Sequence, residues 1–472
     1  MIWVLAEAGI GIDPAAQQPP TSDSIQRASI VAGYHAGFLC SAVFLARRDP
    51  AAVAQDELGP ALLDHPADTA RRVRPVRIGI DRKARMVSAV PGIPDDPFFR
   101  GEPRRAVFKP GRGCTLLPPG ARASDAERLP PVPPWTPPNV GSRSWPDGDL
   151  LPRAPLPGEV DSARLVAAVD SAFADSAYSP HHTLGVVVVY RGRIVTERYA
   201  PGWSMHTQYR TWSTAKSIAS ALVGILVAQG KLDLQAPAPI AEWRHPLDPR
   251  GAITIEHLLH MSSGLVSGGS RTPLGYWGGI DIAADAAAAQ PERAPGTRWK
   301  YSNYDTILLL RAAREVLGDD AYASFPRRAL LDRIGMHHTF PETDPFGNYV
   351  LSSQVYSTPR DLARFGLLYL NDGVWNGQRI LPEGWVAFTV QPAPAHDPGG
   401  RASAWGYGAH WWLLGRDPRV PADAYTTDGR RGQHVSVVPS RQLVVVRTGL
   451  DPEPNGWDQA GFVADVLAAI RH

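Results

Sequence analysis

Ser213-Thr214-Ala215-Lys216, running directly into Ser217-Ile-Ala-Ser-Ala-Leu-Val-Gly-Ile-Leu-Val-Ala-Gln229, places a hydroxyl nucleophile one helical turn ahead of a lysine. The apolar run after Lys216 predicts a mostly buried helix, with Gly230 as its C-terminal stop. Ser213 then falls in the first turn, where free backbone N–H groups and the positive end of the helix dipole favour developing negative charge. Positions 213 and 216 share a face. Lysine is scarce in this chain: Lys83, Lys109, Lys216, Lys231 and Lys300 are the only ones among 48 lysines and arginines. A guanidinium stays charged whatever surrounds it, whereas a buried ammonium can lose its proton, so lysine at 216 reads as chemistry. The plainer alternative is that Ser213 caps a core helix while Lys216 snorkels to solvent.

At 472 residues, 44% hydrophobic and 20% charged, the chain is expected to be soluble and globular, with one large domain and an accessory region. A formal net charge of +2 gives no reason to expect nucleic acid or an anionic membrane as partner. No His, Cys, Asp and Glu spacing suggests a metal site and no phosphate-cradling loop is visible, so no cofactor is expected. Prolines crowd between Pro110 and Pro157, above all in Leu129-Pro-Pro-Val-Pro-Pro-Trp-Thr-Pro-Pro138, which suits neither a helix nor a central strand. We therefore divide the chain into an accessory module with a proline-rich belt (1–135), a linker (136–159) and a catalytic domain (160–472).

Both cysteines, Cys40 and Cys114, precede the linker. They either form one disulfide closing a long loop, which would place the protein in the periplasm or otherwise outside the cytoplasm, or are two unrelated buried thiols. Met1 to Glu7 lacks a basic start and a long apolar stretch, so no signal peptide is read there, and a cytoplasmic location stays open. Ile30 to Ala46 is apolar but short for a span and carries Tyr34, His35 and Cys40, which favours a buried accessory helix. Val76 to Val87, turning around Asp81-Arg82-Lys83, predicts a hairpin, and Arg105 to Leu117 a further strand.

In the catalytic domain, Val186 to Arg198 reads as two strands turning at Arg191-Gly192, and His434 to Val446 as two more turning at Pro439-Ser440. Helical stretches lie between them, at Ile255 to His260, Thr306 to Val316 and Arg360 to Leu370, with a last one from Gln459 to Ile470. The economical fold is α+β: an antiparallel sheet built from both ends of the domain and flanked by helices, with an all-helical lobe inserted between. Tyr301-Ser302-Asn303, reached through Pro295-Gly-Thr-Arg-Trp-Lys300, supplies a second chemical element. A phenol near Ser213 and Lys216 can pass the serine proton to a leaving group, provided the lysine's field lowers its pKa, and Asn303 can hold the substrate carbonyl side. The same tripeptide pattern at Tyr369-Leu370-Asn371 ends an amphipathic helix and is read as core or surface.

Ser213-x-x-Lys216, His257-Leu-Leu-His-Met-Ser-Ser-Gly-Leu265, Pro295-Gly296 leading to Tyr301-Ser-Asn303, and Ser357-Thr-Pro-Arg-Asp-Leu-Ala-Arg-Phe365 together resemble the serine beta-lactamase-related hydrolases of class C type. Within them, Trp405-Gly-Tyr-Gly408 with Trp411-Trp412, and Gly429-x-x-Gly432-Gln433, look most like 6-aminohexanoate-dimer hydrolases and related esterases. The resemblance implies the beta-lactamase/transpeptidase-like fold, with Ser213 as the acylated nucleophile, Lys216 as its base and Tyr301 as proton shuttle. It also implies an oxyanion hole from the N–H groups of Ser213 and Arg430, just after Gly429. Where penicillin-recognising enzymes carry Lys-Thr-Gly, this chain has Thr427-Asp428-Gly429, which removes the usual anchor for a beta-lactam carboxylate and leaves Arg430 or Arg431 as the candidate substitutes. Arg447-Thr448-Gly449 matches by spelling only.

Trp405, Tyr407, Trp411 and Trp412, with Tyr276 and Trp277, are expected either to wall an apolar cleft or to pack in the core. Trp277 and Trp411 are the candidates taken as substrate contacts. His410 and His434 are read as structural or pocket-lining, and Asp305 as a solvated or capping carboxylate. The expected partner is a small amide or ester, with a homo-oligomer left open. The alternatives are an esterase only, a beta-lactamase or D-alanyl-D-alanine carboxypeptidase-like enzyme, and a non-catalytic binding protein on the same scaffold.

Overall fold

The computed structural model describes residues 22–58, 77–92, 101–133, 135–174, 182–268, 271–394, 404–452 and 456–471. The Met1 to Glu7 stretch and Val76 lie outside them. The run Val186 to Val189 has no polar position, and the reason is that both faces of its strand are covered. Val187 and Val189 pack with the helical side of the core, while Val186 and Val188 meet Leu165, Phe462 and Val463 on the other. That strand, Thr183–Tyr190, is one of five in an antiparallel sheet ordered Tyr425–Thr426, His434–Val438, Leu443–Gly449, Thr183–Tyr190, Arg193–Tyr199. Val444 faces Val189 and Val446 faces Val187, so the two ends of the domain are paired valine to valine, as the two hairpins led us to expect.

The Ser162–Ala172 and Gln459–Ala468 helices cover one face of the sheet. The Pro359–Leu370 helix lies on the other, close enough that a side chain at Gly366 would collide with Val444. Beyond it the Ala215–Ala228 helix, buried along almost its whole length, packs against Asn303–Leu317, which in turn meets Ile255–Leu259 and Ile282–Ala287, and these form the helical lobe. Gly230 takes φ +64° just after the helix, as its reading as a stop requires.

In the N-terminal region the Ser22–Cys40 helix continues as one π-helical turn, Ser41–Leu45, and packs on a four-stranded antiparallel sheet. Ile25–Leu45 is long and apolar enough to cross a bilayer, yet 78% of that window is buried inside the protein, in line with an accessory helix. Arg105 to Leu117, expected as one strand, is two: Arg104–Lys109 and Gly113–Leu116. Pro110 cannot continue a ladder, and Gly111 and Gly113 take φ +81° and +82° to reverse the chain. Of the two alternatives for the cysteines, the structure has the disulfide, Cys40 to Cys114, joining the helix end to that hairpin.

The 136–159 stretch is fastened to the catalytic domain along its course. Trp145 Nε1 donates to the Gly192 oxygen at 2.9 Å, and the buried Arg364 donates to the Pro146 oxygen at 2.7 Å and to the Asp149 carboxylate at 2.9 Å.

Candidate active site

Ser213 lies in a 3₁₀ turn, Trp212–Thr214, that leads into the Ala215–Ala228 helix. The residue before it, Trp212, sits at φ +48°, a conformation that L side chains rarely adopt, and this re-aims the chain just ahead of the serine. Neighbours hold the turn in place. Thr211 N donates to the Val355 oxygen at 2.8 Å, the Arg210 guanidinium lies 4.1 Å over the Trp212 ring, and the Thr214 hydroxyl reaches Thr427 Oγ1 at 3.0 Å and the Gln433 oxygen at 2.8 Å.

Lys216 is 1% exposed, which removes the snorkelling alternative. Its Nζ lies 3.2 Å from Ser213 Oγ, 2.7 Å from Asn303 Oδ1 and 2.7 Å from the Ser352 backbone oxygen. Burial without a carboxylate partner disfavours the ammonium and pushes its pKa down to about 7. A neutral amine beside a hydroxyl can accept the hydroxyl proton, so the pair is arranged for nucleophile activation. Asn303, read as a substrate contact, turns its carbonyl oxygen to Lys216; it opens the Asn303–Leu317 helix, capped by Ser302.

The Tyr301 ring centroid is 4.9 Å from Lys216 Nζ. Trp412 stacks on Tyr301 at 5.8 Å, and Tyr407 and Trp299 meet its edges. These aromatics pack around the phenol ring. The His257–Leu265 stretch is the scaffold for its loop: the Met261 oxygen accepts from Lys300 N at 2.8 Å and the Ser262 oxygen from Gly296 N at 2.8 Å. Of the two expectations for Asp305, it is not the solvated carboxylate but the capping one, in the first turn of the Asn303–Leu317 helix and hydrogen-bonded to the Ser302 cap. It is buried, its pKa is pushed up to about 7 by desolvation, and it accepts the Ser263 hydroxyl at 2.8 Å, tying scaffold and loop together.

Gly429 crosses the nucleophile turn so closely that a side chain there would collide with the Thr211 oxygen. Its N–H donates to the Gln433 oxygen at 2.8 Å, closing a tight turn that carries Arg430, whose guanidinium carbon is 5.7 Å from the Trp212 ring. Asp428 lies 3.8 Å from His434 Nδ1, with its side chain 7% exposed. Arg447 is buried beneath this turn, donating to the Gly432 oxygen at 3.0 Å and paired with Asp451, so the look-alike motif is a structural support.

Two expected substrate contacts are corrected. Trp411 is 0% exposed and packs between Phe365, Tyr369 and Tyr425 in the main core. Trp277 is buried in the core of the N-terminal module against Tyr34. Both are tryptophans doing what large apolar rings ordinarily do, fill space. His410 is buried between Thr306 and the Leu259 oxygen, its pKa pushed down to about 3 by desolvation, and it stays neutral. His434 Nδ1 lies 3.1 Å from the Thr427 oxygen. Ser352 and Trp212 were not singled out from sequence; a backbone carbonyl acceptor and a positive φ leave no mark in residue types. Among the described residues no cluster of His, Cys, Asp and Glu is arranged to hold a metal.

The family profile described as Beta-lactamase matches residues 175–468. The chain is 30% identical over 325 residues to the 6-aminohexanoate-dimer hydrolase of Paenarthrobacter ureafaciens, covering 60% of this chain and 78% of that protein. It is 32% identical over 178 residues to Esterase EstB of Burkholderia gladioli, a match spanning 31% of this chain and less than half, 45%, of that esterase. A crystal structure of a family VIII carboxylesterase superposes with a TM-score of 0.53 at 18% identity, over 67% of this chain and 98% of that one. That last likeness concerns the fold.

Proposed function

The chain belongs to the beta-lactamase family and is a serine hydrolase, and we propose that it cleaves small linear amides or carboxylic esters through an acyl-enzyme on Ser213. The observation that carries the reading is the buried Lys216, with Nζ 3.2 Å from Ser213 Oγ and an ammonium destabilised enough to be partly neutral near pH 7. In the forward step, Ser213 Oγ bonds to the substrate carbonyl carbon and its proton passes to Lys216. The N–H groups of Ser213 and Arg430 donate hydrogen bonds to the carbonyl oxygen as negative charge develops on it. Tyr301 delivers a proton to the leaving amine or alkoxide as the scissile bond breaks and is left as the phenolate. The phenolate then takes a proton from water as the water oxygen bonds to the acyl carbon, and Lys216 returns its proton to Ser213 Oγ as the acid is released. Positioned acid and base groups of this kind contribute roughly 10²–10⁴-fold.

Amide and ester cleavage both remain within the proposal, because one relative is named for a linear amide dimer and the other as an esterase. A beta-lactam is the weaker candidate: Thr427 stands where the penicillin-recognising pattern has its lysine, so the usual cation for a substrate carboxylate is missing there. The test is turnover of p-nitrophenyl esters, 6-aminohexanoate dimer and nitrocefin by wild type and Ser213→Ala. We expect ester or dimer hydrolysis by wild type, little or none of nitrocefin, and loss of all turnover in Ser213→Ala; unchanged hydrolysis by that variant overturns the proposal.

A further inference from the structure

Lys216 owes its enclosure to contacts that lead out of the catalytic domain. One acceptor of its amino group is the Ser352 backbone oxygen. The Ser352 hydroxyl meets the Tyr276 phenol at 2.8 Å, and Gln354 Nε2 donates to the Tyr276 backbone oxygen at 3.1 Å, so Tyr276 grips the 352–354 turn at two points. Burial raises the Tyr276 pKa, which keeps the phenol neutral and hydrogen-bonding.

The next residue, Trp277, is held by the N-terminal module. Tyr34 meets its ring edge-on at 5.0 Å. A side chain at Gly33 would collide with the Trp277 backbone oxygen, and one at Gly37 would come within 3.1 Å of its ring. The buried Arg104 donates to the Gly278 oxygen at 2.9 Å and the Leu117 oxygen at 3.3 Å, pinning the segment to the module's sheet. Glycines four apart share one face of the Ser22–Cys40 helix, where alanine would favour the helix more, and at both the space is taken by Trp277. The Cys40–Cys114 bridge anchors the C-terminal end of that helix.

We propose that the N-terminal helix is a positioning element of the active site, acting through Trp277 and Tyr276 to fix the Ser352 carbonyl and the dry enclosure of Lys216. The inference rests on Lys216 as the base of the reaction. Releasing the Tyr276–Ser352 contact relaxes the 352–354 turn and admits water, so the ammonium regains hydration and Lys216 returns toward its ordinary, higher pKa. A smaller fraction of base is then neutral at pH 7, with substrate binding little changed.

The experiment is the pH dependence of kcat and kcat/KM on p-nitrophenyl butyrate for wild type, Tyr276→Phe and Gly37→Ala, with Ser213→Ala and Lys216→Ala alongside. In wild type we expect an acid limb near pH 7. In Tyr276→Phe the limb should move up by roughly half a pH unit or more, with kcat at pH 7 down about twofold or more and KM within about twofold; Gly37→Ala should move it the same way by less. A limb at the wild-type position in both folded variants overturns the proposal, and movement in Tyr276→Phe alone overturns the part assigned to the helix. Wild-type turnover by Ser213→Ala or Lys216→Ala is a different failure, that of the catalytic reading beneath it.

Discussion

At the scale of single residues, the scarcity of lysine is what made Ser213 and Lys216 legible, because only at 216 does the difference between ammonium and guanidinium bear on a neighbouring hydroxyl. Tyr301 was legible from its loop and its order in the chain. Trp277 and Trp411 were not placed correctly, since one aromatic letter serves core and cleft equally, and only packing against Tyr34 or Phe365 separates them. Ser352 escaped because it acts through its backbone oxygen. Backbone chemistry also distinguishes two roles for Arg430. If its N–H is the second oxyanion donor, Arg430→Ala keeps kcat on an ester within about threefold, whereas Arg430→Pro, which deletes the donor, loses about 10²–10³-fold. Equal losses in the two variants, read from steady-state kinetics, would point to the guanidinium instead.

At the scale of elements, the valine-rich hairpins and the helices between them were readable because periodicity and apolar runs report burial directly. The 104–116 hairpin was read as one strand because its turn lies in Pro110-Gly111-Arg112-Gly113, whose φ values are a matter of conformation rather than hydrophobicity. Glu342 shows what a connection between elements costs. Its carboxylate, buried beside the disulfide, accepts the Cys114 N–H at 2.8 Å and the Ser41 hydroxyl at 2.7 Å. Desolvation raises its pKa to about 7, partly offset by Arg210, so the folded chain keeps a proton that the unfolded chain releases above about pH 4.3. The stability this supplies is full below the unfolded value and is lost as pH rises through the folded one. Thermal unfolding followed from about pH 5 to about pH 8 should therefore show wild type losing stability relative to Glu342→Gln, by about 1–3 kcal/mol. Parallel curves would mean that Glu342 is ionised throughout.

At the scale of the whole molecule, composition set the expected size class and argued against nucleic acid, and several motifs in family order identified the catalytic domain. What composition did not show is how closely the N-terminal module and the 136–159 stretch are bound to that domain. Those contacts run between residues far apart in sequence, such as Glu342 with Cys114, Arg364 with Asp149, and Trp277 with Gly33 and Gly37, and no local pattern encodes them. The chemistry proposed for this chain centres on one nucleophile, Ser213, beside the buried Lys216. Intact-protein mass spectrometry of the full chain after a fluorophosphonate, followed by peptide mapping, addresses that claim most directly. The expected result is one adduct per chain, on the peptide containing Ser213, absent in Ser213→Ala and formed faster as pH rises through about 7. An adduct on another residue, or equal labelling of Ser213→Ala, contradicts it.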